Sequence, residues 1–162
     1  MFFILYSYPS ICFMPADYKK LDNPAWHSLT ETHACFALGT GELKRYDPAI
    51  VLFAGFNVAA ENITQQFDRV FEPGDSFFLF DDLPVLPVNY QIETVVECLQ
   101  MVCETPVPVA ITENIMQLDK TDWGNMFSLV SEVFPGYYLP GTPAMGDYFG
   151  IFKDGELVAI AG

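Results

Sequence analysis

The sequence has few basic residues, and this scarcity argues against one class of partner. It contains 7 lysine and arginine residues against 21 acidic ones, which gives a net charge of −14 over 162 residues. The basic residues are scattered along the chain, so they form no patch that could neutralise a phosphate backbone. We therefore predict no nucleic-acid partner. An acidic surface would suit a cationic or amine-bearing partner, but its simpler interpretation is solubility.

Cysteine and histidine are also scarce, which argues against a metal centre. Four cysteines stand at positions 12, 35, 98 and 103, and only the last two are close together. His27 and His33 do not have the spacing that would complete a tetrahedral set of ligands. We predict no metal site and interpret the cysteines as reduced, buried thiols of a cytoplasmic protein. We interpret each histidine as structural or surface-exposed and not catalytic.

The sequence lacks a clear secretion signal and an apolar run long enough to span a bilayer. The first thirteen residues are apolar, but they contain no lysine or arginine and are interrupted by Pro9. We predict no membrane association. We interpret residues 1–20 as an N-terminal extension, with the hypothesis that Met14 is the natural start.

The pattern that is present alternates strands and helices. Upstream, ACFALG, AIVLFAGF, SFFLF and VECLQMVCE are typical of strands, and AAENITQQFDRVF predicts a helix. One face of that helix carries four apolar residues: Ile63, Phe67, Val70 and Phe71. Breaks in DDLPVLPVN and TPVPV suggest two lobes, residues 21–108 and 109–162, with the boundary at residues 105–109. We predict an α/β (α+β) fold: a mixed, mainly antiparallel sheet with packed helices.

The last third of the chain predicts a strand, a helix, a loop and a hairpin. ITENIMQL is the strand, and Thr121 or Asp119 is the predicted helix cap. Asp154 and Gly155 between YFGIF and ELVAIA indicate a tight hairpin turn, because glycine takes a positive φ without a steric clash. The predicted helix has an apolar stripe: Met126, Leu129, Val130 and Val133.

Two short motifs have both a chemical and a plain structural interpretation. Gly39, Thr40 and Gly41 could form a phosphate loop, but GELKRYDP follows them in place of an apolar helix. We therefore favour a β-turn there. Asp81 and Asp82 could bind a metal or exchange protons, yet adjacent acids in a loop are usually solvated.

The words PGYY, MGDYFGI and DGELVAIAG resemble the first half of a GNAT-superfamily N-acetyltransferase domain, from its first strand to its third. NPAWHSLTETHACFALG, RYDP and LQMVCE resemble the N-terminal region of the two-part GNAT-like branch. Together the resemblance covers residues 21–162. The family's fourth strand, pyrophosphate-binding loop and later helices would follow Gly162, so the resemblance implies a domain truncated before that loop.

The resemblance implies an acyltransferase that moves an acetyl group from acetyl-CoA to an amine on a small molecule or peptide. In the family the loop PGYYLPGTPAMG lies over the acceptor cleft, so Tyr137, Tyr138 and Tyr148 are the expected substrate-binding residues. The alternative is that these tyrosines cap the edge of the core. Glu156 is a weaker candidate for a water-relayed base.

No catalytic or cofactor-binding residue is identified, and the acceptor amine stays open. We expect this 162-residue chain to bind acetyl-CoA weakly or not at all and to be inactive by itself. Whether it is an enzyme therefore stays open. The alternative is a non-catalytic GNAT-like interaction module.

The final strand, ELVAIAG, predicts self-association. Strict alternation would place Leu157, Ala159 and Ala161 on one face and Val158 and Ile160 on the other. Its outer edge has neither proline nor lysine, the residues that commonly block edge pairing. We expect a homo-oligomer formed through residues 156–162.

Overall fold

The computed structural model describes residues 2–7, 16–80, 82–105 and 107–162. The chain forms two compact units: unit 1 comprises Met1–Pro48 and Leu52–Val102, and unit 2 comprises Ala49–Val51 and Cys103–Gly162. The predicted boundary at residues 105–109 lies shortly after the chain enters unit 2 and stays a prediction. Cys12, Asp81 and the hypothesised start at Met14 lie outside the described residues. Cys35, Cys98 and Cys103 are exposed, so the prediction of buried thiols is wrong for these three.

Unit 1 is built on a six-stranded mixed sheet. The strand order is β2-β3-β4-β5-β1-β6, with antiparallel pairing from β2 to β4 and parallel pairing from β4 to β6. Its strands are β1 (Phe2–Ser7), β2 (Ala37–Leu38), β3 (Leu43–Tyr46), β4 (Phe53–Phe56), β5 (Phe77–Phe80) and β6 (Thr94–Cys98). Its α-helices are α1 (Pro24–Thr30) and α2 (Phe67–Val70), with 3-10 turns at Ala16–Leu21, Ala34–Phe36 and Ile63–Gln66.

Three details of unit 1 correct the sequence predictions. The predicted strand ACFALG is half a 3-10 turn, and LKRY forms β3, which was not predicted. Residues 2–7, assigned to an N-terminal extension, form a strand between β5 and β6. That part of the segment is therefore integral to the sheet. None of the described helices is long and apolar enough to cross a bilayer.

The core of unit 1 is aromatic. Phe71 and Phe77 stack with ring centroids 3.5 Å apart, and Phe67 is fully buried beside them. Tyr90 meets the Phe67 ring edge to face at 5.3 Å. The predicted helix face is confirmed, because Ile63, Phe67 and Phe71 are buried and Val70 packs against them.

Helix α1 is fixed to the sheet through both its cap and a glycine. The Asn23 side chain accepts a hydrogen bond from the Trp26 amide at 3.3 Å and donates one to the Phe56 carbonyl at 2.8 Å. Asn23 therefore caps the helix and ties it to β4. At Gly55 of β4 a Cβ atom would lie 2.2 Å from the Trp26 nitrogen. Only glycine allows the helix to approach this closely.

Unit 2 contains a three-stranded antiparallel sheet with one helix. Its elements are β7 (Ile115–Leu118), α3 (Trp123–Val133), a 3-10 turn (Thr142–Met145), β8 (Tyr148–Lys153) and β9 (Glu156–Ala161). The strand order is β7-β8-β9. The predicted hairpin turn is confirmed, with positive φ at Asp154 and Gly155. The α+β class with a mixed sheet and packed helices is confirmed. The described residues form two sheets and not one, and the larger sheet is not mainly antiparallel, because three of its five strand pairings are parallel.

The predicted cap and apolar stripe of α3 need correction. The N-cap is Asp122, and its side chain makes no capping hydrogen bond. Asp119 instead accepts from the Thr121 amide and hydroxyl, at 2.7 and 2.6 Å, so it stabilises the turn before the helix. In the apolar stripe Met126 is buried and Leu129 packs against the same core, but Val133 is 74% exposed.

A β-bulge changes the phase of the final strand. Ile151 pairs with Ala159 and Phe152 pairs with Leu157, so Val158 is an extra residue with no partner on β8. After an inserted residue the alternation of side chains shifts by one position. Leu157 and Ile160 consequently pack against the same core, and the predicted division of faces was wrong.

Candidate functional site

Two of the three predicted substrate-binding tyrosines lie together. Tyr148 is the first residue of β8, and Tyr138 lies in the loop after α3. Their rings are perpendicular, with centroids 6.2 Å apart. Both are half-buried and pack against the core residues Leu118, Met126 and Leu157. The pair therefore stands at the rim of the unit 2 core.

The Tyr138 hydroxyl is buried and has no hydrogen-bond partner among the described residues. Burial raises the pKa of Tyr138, and the nearby Tyr148 raises it further. The two hydroxyls nevertheless do not meet the geometry of a hydrogen bond. Burial also raises the pKa of Tyr148, opposed by its interaction with Tyr138. Both phenols therefore stay protonated at neutral pH, able to donate or accept a hydrogen bond.

Tyr137 has a different environment. Its ring stacks on Phe134, the residue after α3, at 4.4 Å between centroids and 30° between planes. Phe134 is itself largely exposed. Tyr137 thus belongs to a surface aromatic pair at the end of the helix, whereas its two fellow candidates lie against the core.

The loop that carries Tyr138 is fixed by a segment distant in sequence. The Thr142 hydroxyl donates to the Ile50 carbonyl at 2.6 Å and accepts from the Leu139 amide at 2.9 Å. A Cβ atom at Gly141 would lie 2.4 Å from the Ala49 carbonyl oxygen. Ala49–Val51 therefore holds this loop in unit 2. A contact between residues so far apart in sequence leaves no periodic signal, so sequence reasoning missed it.

Glu156 lies at the opposite end of the hairpin from Tyr148. Glu156 is exposed, and its partner in the strand pairing is Lys153, beside the turn. Lys153 is five residues along β8 from Tyr148. At about 3.3 Å per residue this separation is roughly 16 Å. Glu156 and the two tyrosines therefore cannot contact the same small reacting group.

Gly39, Thr40 and Gly41 form the hairpin loop between β2 and β3, as the β-turn interpretation predicted. A pyrophosphate site needs free backbone amides at a helix N-terminus. Here a strand follows the loop, and the Glu42 amide already donates to the Gln66 side chain at 3.0 Å. This loop does not fit the pyrophosphate of acetyl-CoA.

The other sequence candidates have structural partners. The His33 Nδ1 atom lies 3.0 Å from the Tyr46 hydroxyl, which donates to Ser28 at 2.9 Å. His27 lies 3.5 Å from Glu31. Within residues 2–7, 16–80, 82–105 and 107–162, no three histidine, cysteine or acidic side chains are grouped to hold a metal.

Unit 1 contains a cavity of about 740 Å³ beside its aromatic core, lined in part by Asp68, Asp75 and Tyr90. Asp75 is paired with Arg45 and accepts from the Glu72 amide, which together lower its pKa despite the opposing effect of burial. Asp68 accepts from Asn89 at 3.3 Å. Both carboxylates already have hydrogen-bond partners within the chain, so we assign no ligand to the cavity.

No family model and no curated protein matches the sequence. A solved structure from Novosphingobium aromaticivorans, described as a "putative acetyltransferase from the GNAT family", does match, with a TM-score of 0.68 and 28% sequence identity. The match covers 89% of this chain and 64% of that one. The chain thus has the GNAT fold over the matched part and spans about two thirds of its neighbour's length.

Proposed function

We propose that this chain is part of a GNAT-type acetyltransferase and contributes to its acceptor site. The acceptor in this proposal is an amine on a small molecule or peptide, and the reaction transfers an acetyl group to it in the cytoplasm. The observation that carries the proposal is the buried Tyr138 hydroxyl, which stands beside Tyr148 with no partner in the described chain.

A buried hydroxyl without a partner costs free energy, about 1–3 kcal/mol, so it points to a group that arrives from outside. By accepting hydrogen bonds from the N–H groups of an amine, the hydroxyls of Tyr138 and Tyr148 would orient the amine and leave its lone pair free. The net charge of −14 favours the approach of a cationic amine. The structural neighbour from the GNAT family supports the reaction class.

Acetyl-CoA is the acetyl donor of that family, and its pyrophosphate needs a different environment from those described. The two longer α-helices begin with Asn23 followed by Pro24 at α1 and with Asp122 at α3, whereas the four-residue α2 directly continues a 3-10 turn. A proline has no amide hydrogen to offer, and a carboxylate repels a phosphate. We therefore assign these residues to the acceptor side alone and expect weak acetyl-CoA binding by this chain.

The test replaces Tyr138 with Phe and measures two properties of the whole chain. If the hydroxyl is reserved for an acceptor, Tyr138→Phe should raise the melting temperature of the ligand-free chain slightly, because an unsatisfied group is removed. The same variant should bind a panel of primary amines and polyamines about tenfold more weakly, measured by calorimetry without acetyl-CoA.

Tyr137→Phe is the matched control, and it should leave amine binding unchanged. If Tyr138→Phe instead lowers the melting temperature and leaves amine binding unchanged, the tyrosines cap the core, as in the alternative interpretation. That result would favour the second candidate, a non-catalytic GNAT-like interaction module.

A further inference from the structure

The six-stranded sheet of unit 1 ends in two strands of very different character. β2 has only two residues, which is one way proteins limit pairing at a sheet edge. β6 has five residues, Thr94–Cys98, in continuous parallel register with β1. It contains no proline, lysine or bulge. Among the described residues nothing pairs with its outer edge.

Exposed apolar side chains surround this edge. Val95 is 56% exposed on β6, and Leu99 and Met101, just beyond the strand, are about 80% exposed. Isolated exposed apolar residues are ordinary, but a run beside an unpaired strand is typical of a protein-binding surface.

A small cavity lies at the end of β6. Its volume is about 70 Å³, and its lining includes Leu21, Phe80 and Leu99 with Asp22. Since a water molecule takes up about 30 Å³ in the liquid, this cavity matches a small aliphatic side chain and is far too small for a cofactor. Pockets of this kind give specificity when an extended peptide adds to a sheet edge.

The charge around β6 indicates the kind of partner that would bind its edge. Between Arg69 and Lys120 the sequence has no lysine, arginine or histidine, and Glu97 projects from β6 itself. Two lysines precede the cavity, but Lys20 is bound by both carboxylate oxygens of Glu31 at 2.8 Å. A second copy of the chain would bring another Glu97 and no basic side chain on its own β6, so it would add negative charge to the edge without an opposite charge to pair with it.

We propose that the outer edge of β6, with the cavity at its end, binds an extended segment of a partner protein in which apolar and basic side chains alternate. The partner's backbone pairs with β6. Its basic side chains meet Glu97 and Asp22, and one aliphatic side chain enters the cavity. The β9 edge suits this role less, because the bulge at Val158 distorts its ladder.

The probe is a fluorescein-labelled synthetic peptide that alternates lysine and valine, titrated into the full chain and followed by fluorescence anisotropy. Glu97→Lys and Val95→Lys should each weaken binding about tenfold, which corresponds to ~1.4 kcal/mol. Glu132→Lys, an identical charge change on the exposed side of α3, is the matched control and should weaken binding less than about twofold. Hydrogen exchange should show new protection of the β6 amides on binding.

A peptide of the same composition, with its lysines and valines in separate blocks, distinguishes strand pairing from charge attraction. Equal binding of the blocked and alternating peptides, or an equal loss from Glu132→Lys and Glu97→Lys, would overturn the proposal. No binding of the alternating peptide would also overturn it. So would a homodimer that Val95→Lys dissociates, because a second copy would then occupy the edge.

Discussion

The two units differ in how completely each encloses a core of its own. Among the described residues, one cluster in unit 1 has eight buried residues, half of them phenylalanine, whereas the cluster in unit 2 has three: Leu118, Met126 and Leu157. On the outer face of the unit 2 sheet, Ile115 and Phe149 are nearly half exposed. Because burial of apolar area is the main favourable term in folding, unit 1 should be the more stable of the two.

The expected difference in stability between the two units is tested most directly by truncating one core residue in each of them. Phe67→Ala removes a fully buried ring and should destabilise unit 1 by about 3–5 kcal/mol. Met126→Ala should cost unit 2 less, about 2–3 kcal/mol, because half-buried neighbours such as Leu129 can move into the space.

The two tryptophans make this measurable, since Trp26 lies in unit 1 and Trp123 in unit 2. Urea unfolding is followed in chains that retain one of them, with the other replaced by Phe. Each core substitution should shift the transition of its own unit and move the other by less than about 0.5 kcal/mol. Equal shifts in both transitions would mean that the units unfold as one.

Local patterns predicted the parts of the fold that local chemistry determines. The apolar face of residues 63–71 and the Asp154 and Gly155 turn both follow from neighbouring residues. The bulge at Val158 could not be predicted, because it depends on pairing with β8. Candidate-site residues were chosen by resemblance, and their grouping depends on packing: Tyr138 meets Tyr148, while Tyr137 stacks on Phe134.

The bulge also sharpens the prediction of self-association through residues 156–162. Ile160 packs against the core, so Ile160→Lys should destabilise unit 2 by roughly 1–3 kcal/mol. A loss of association in that variant could then result from unfolding as well as from lost strand pairing. Ala159 is exposed, so Ala159→Lys should cost less than about 0.5 kcal/mol while placing a charge on the strand.

Light scattering of the purified chain provides the measurement. If β9 mediates association, Ala159→Lys should give monomers with an unchanged Trp123 unfolding transition. Lys replacing an exposed residue distant from the strand, as in Glu132→Lys, should leave the particle size unchanged. Monomers in every chain, including the unsubstituted one, would contradict self-association through β9.

The smallest expected effect appears only in alkali and concerns unit 1 alone. Burial, with the nearby Asp68, Asp75 and Glu72 carboxylates, raises the pKa of Tyr90 from 10.0 to about 12. The folded chain keeps this proton more tightly than the unfolded chain, so the stabilising contribution is complete below pH 10 and is lost as the pH rises to about 12.

Tyr90→Phe should therefore flatten the decline of unit 1 stability between pH 10 and 12, measured as urea midpoints with Trp26 as the probe. Burial also raises the pKa of Tyr46, so part of the decline should remain. Tyr148→Phe, in unit 2, is the control and should leave the Trp26 decline unchanged. An identical decline in the Tyr90→Phe chain would show that Tyr90 titrates alike in the folded and unfolded states.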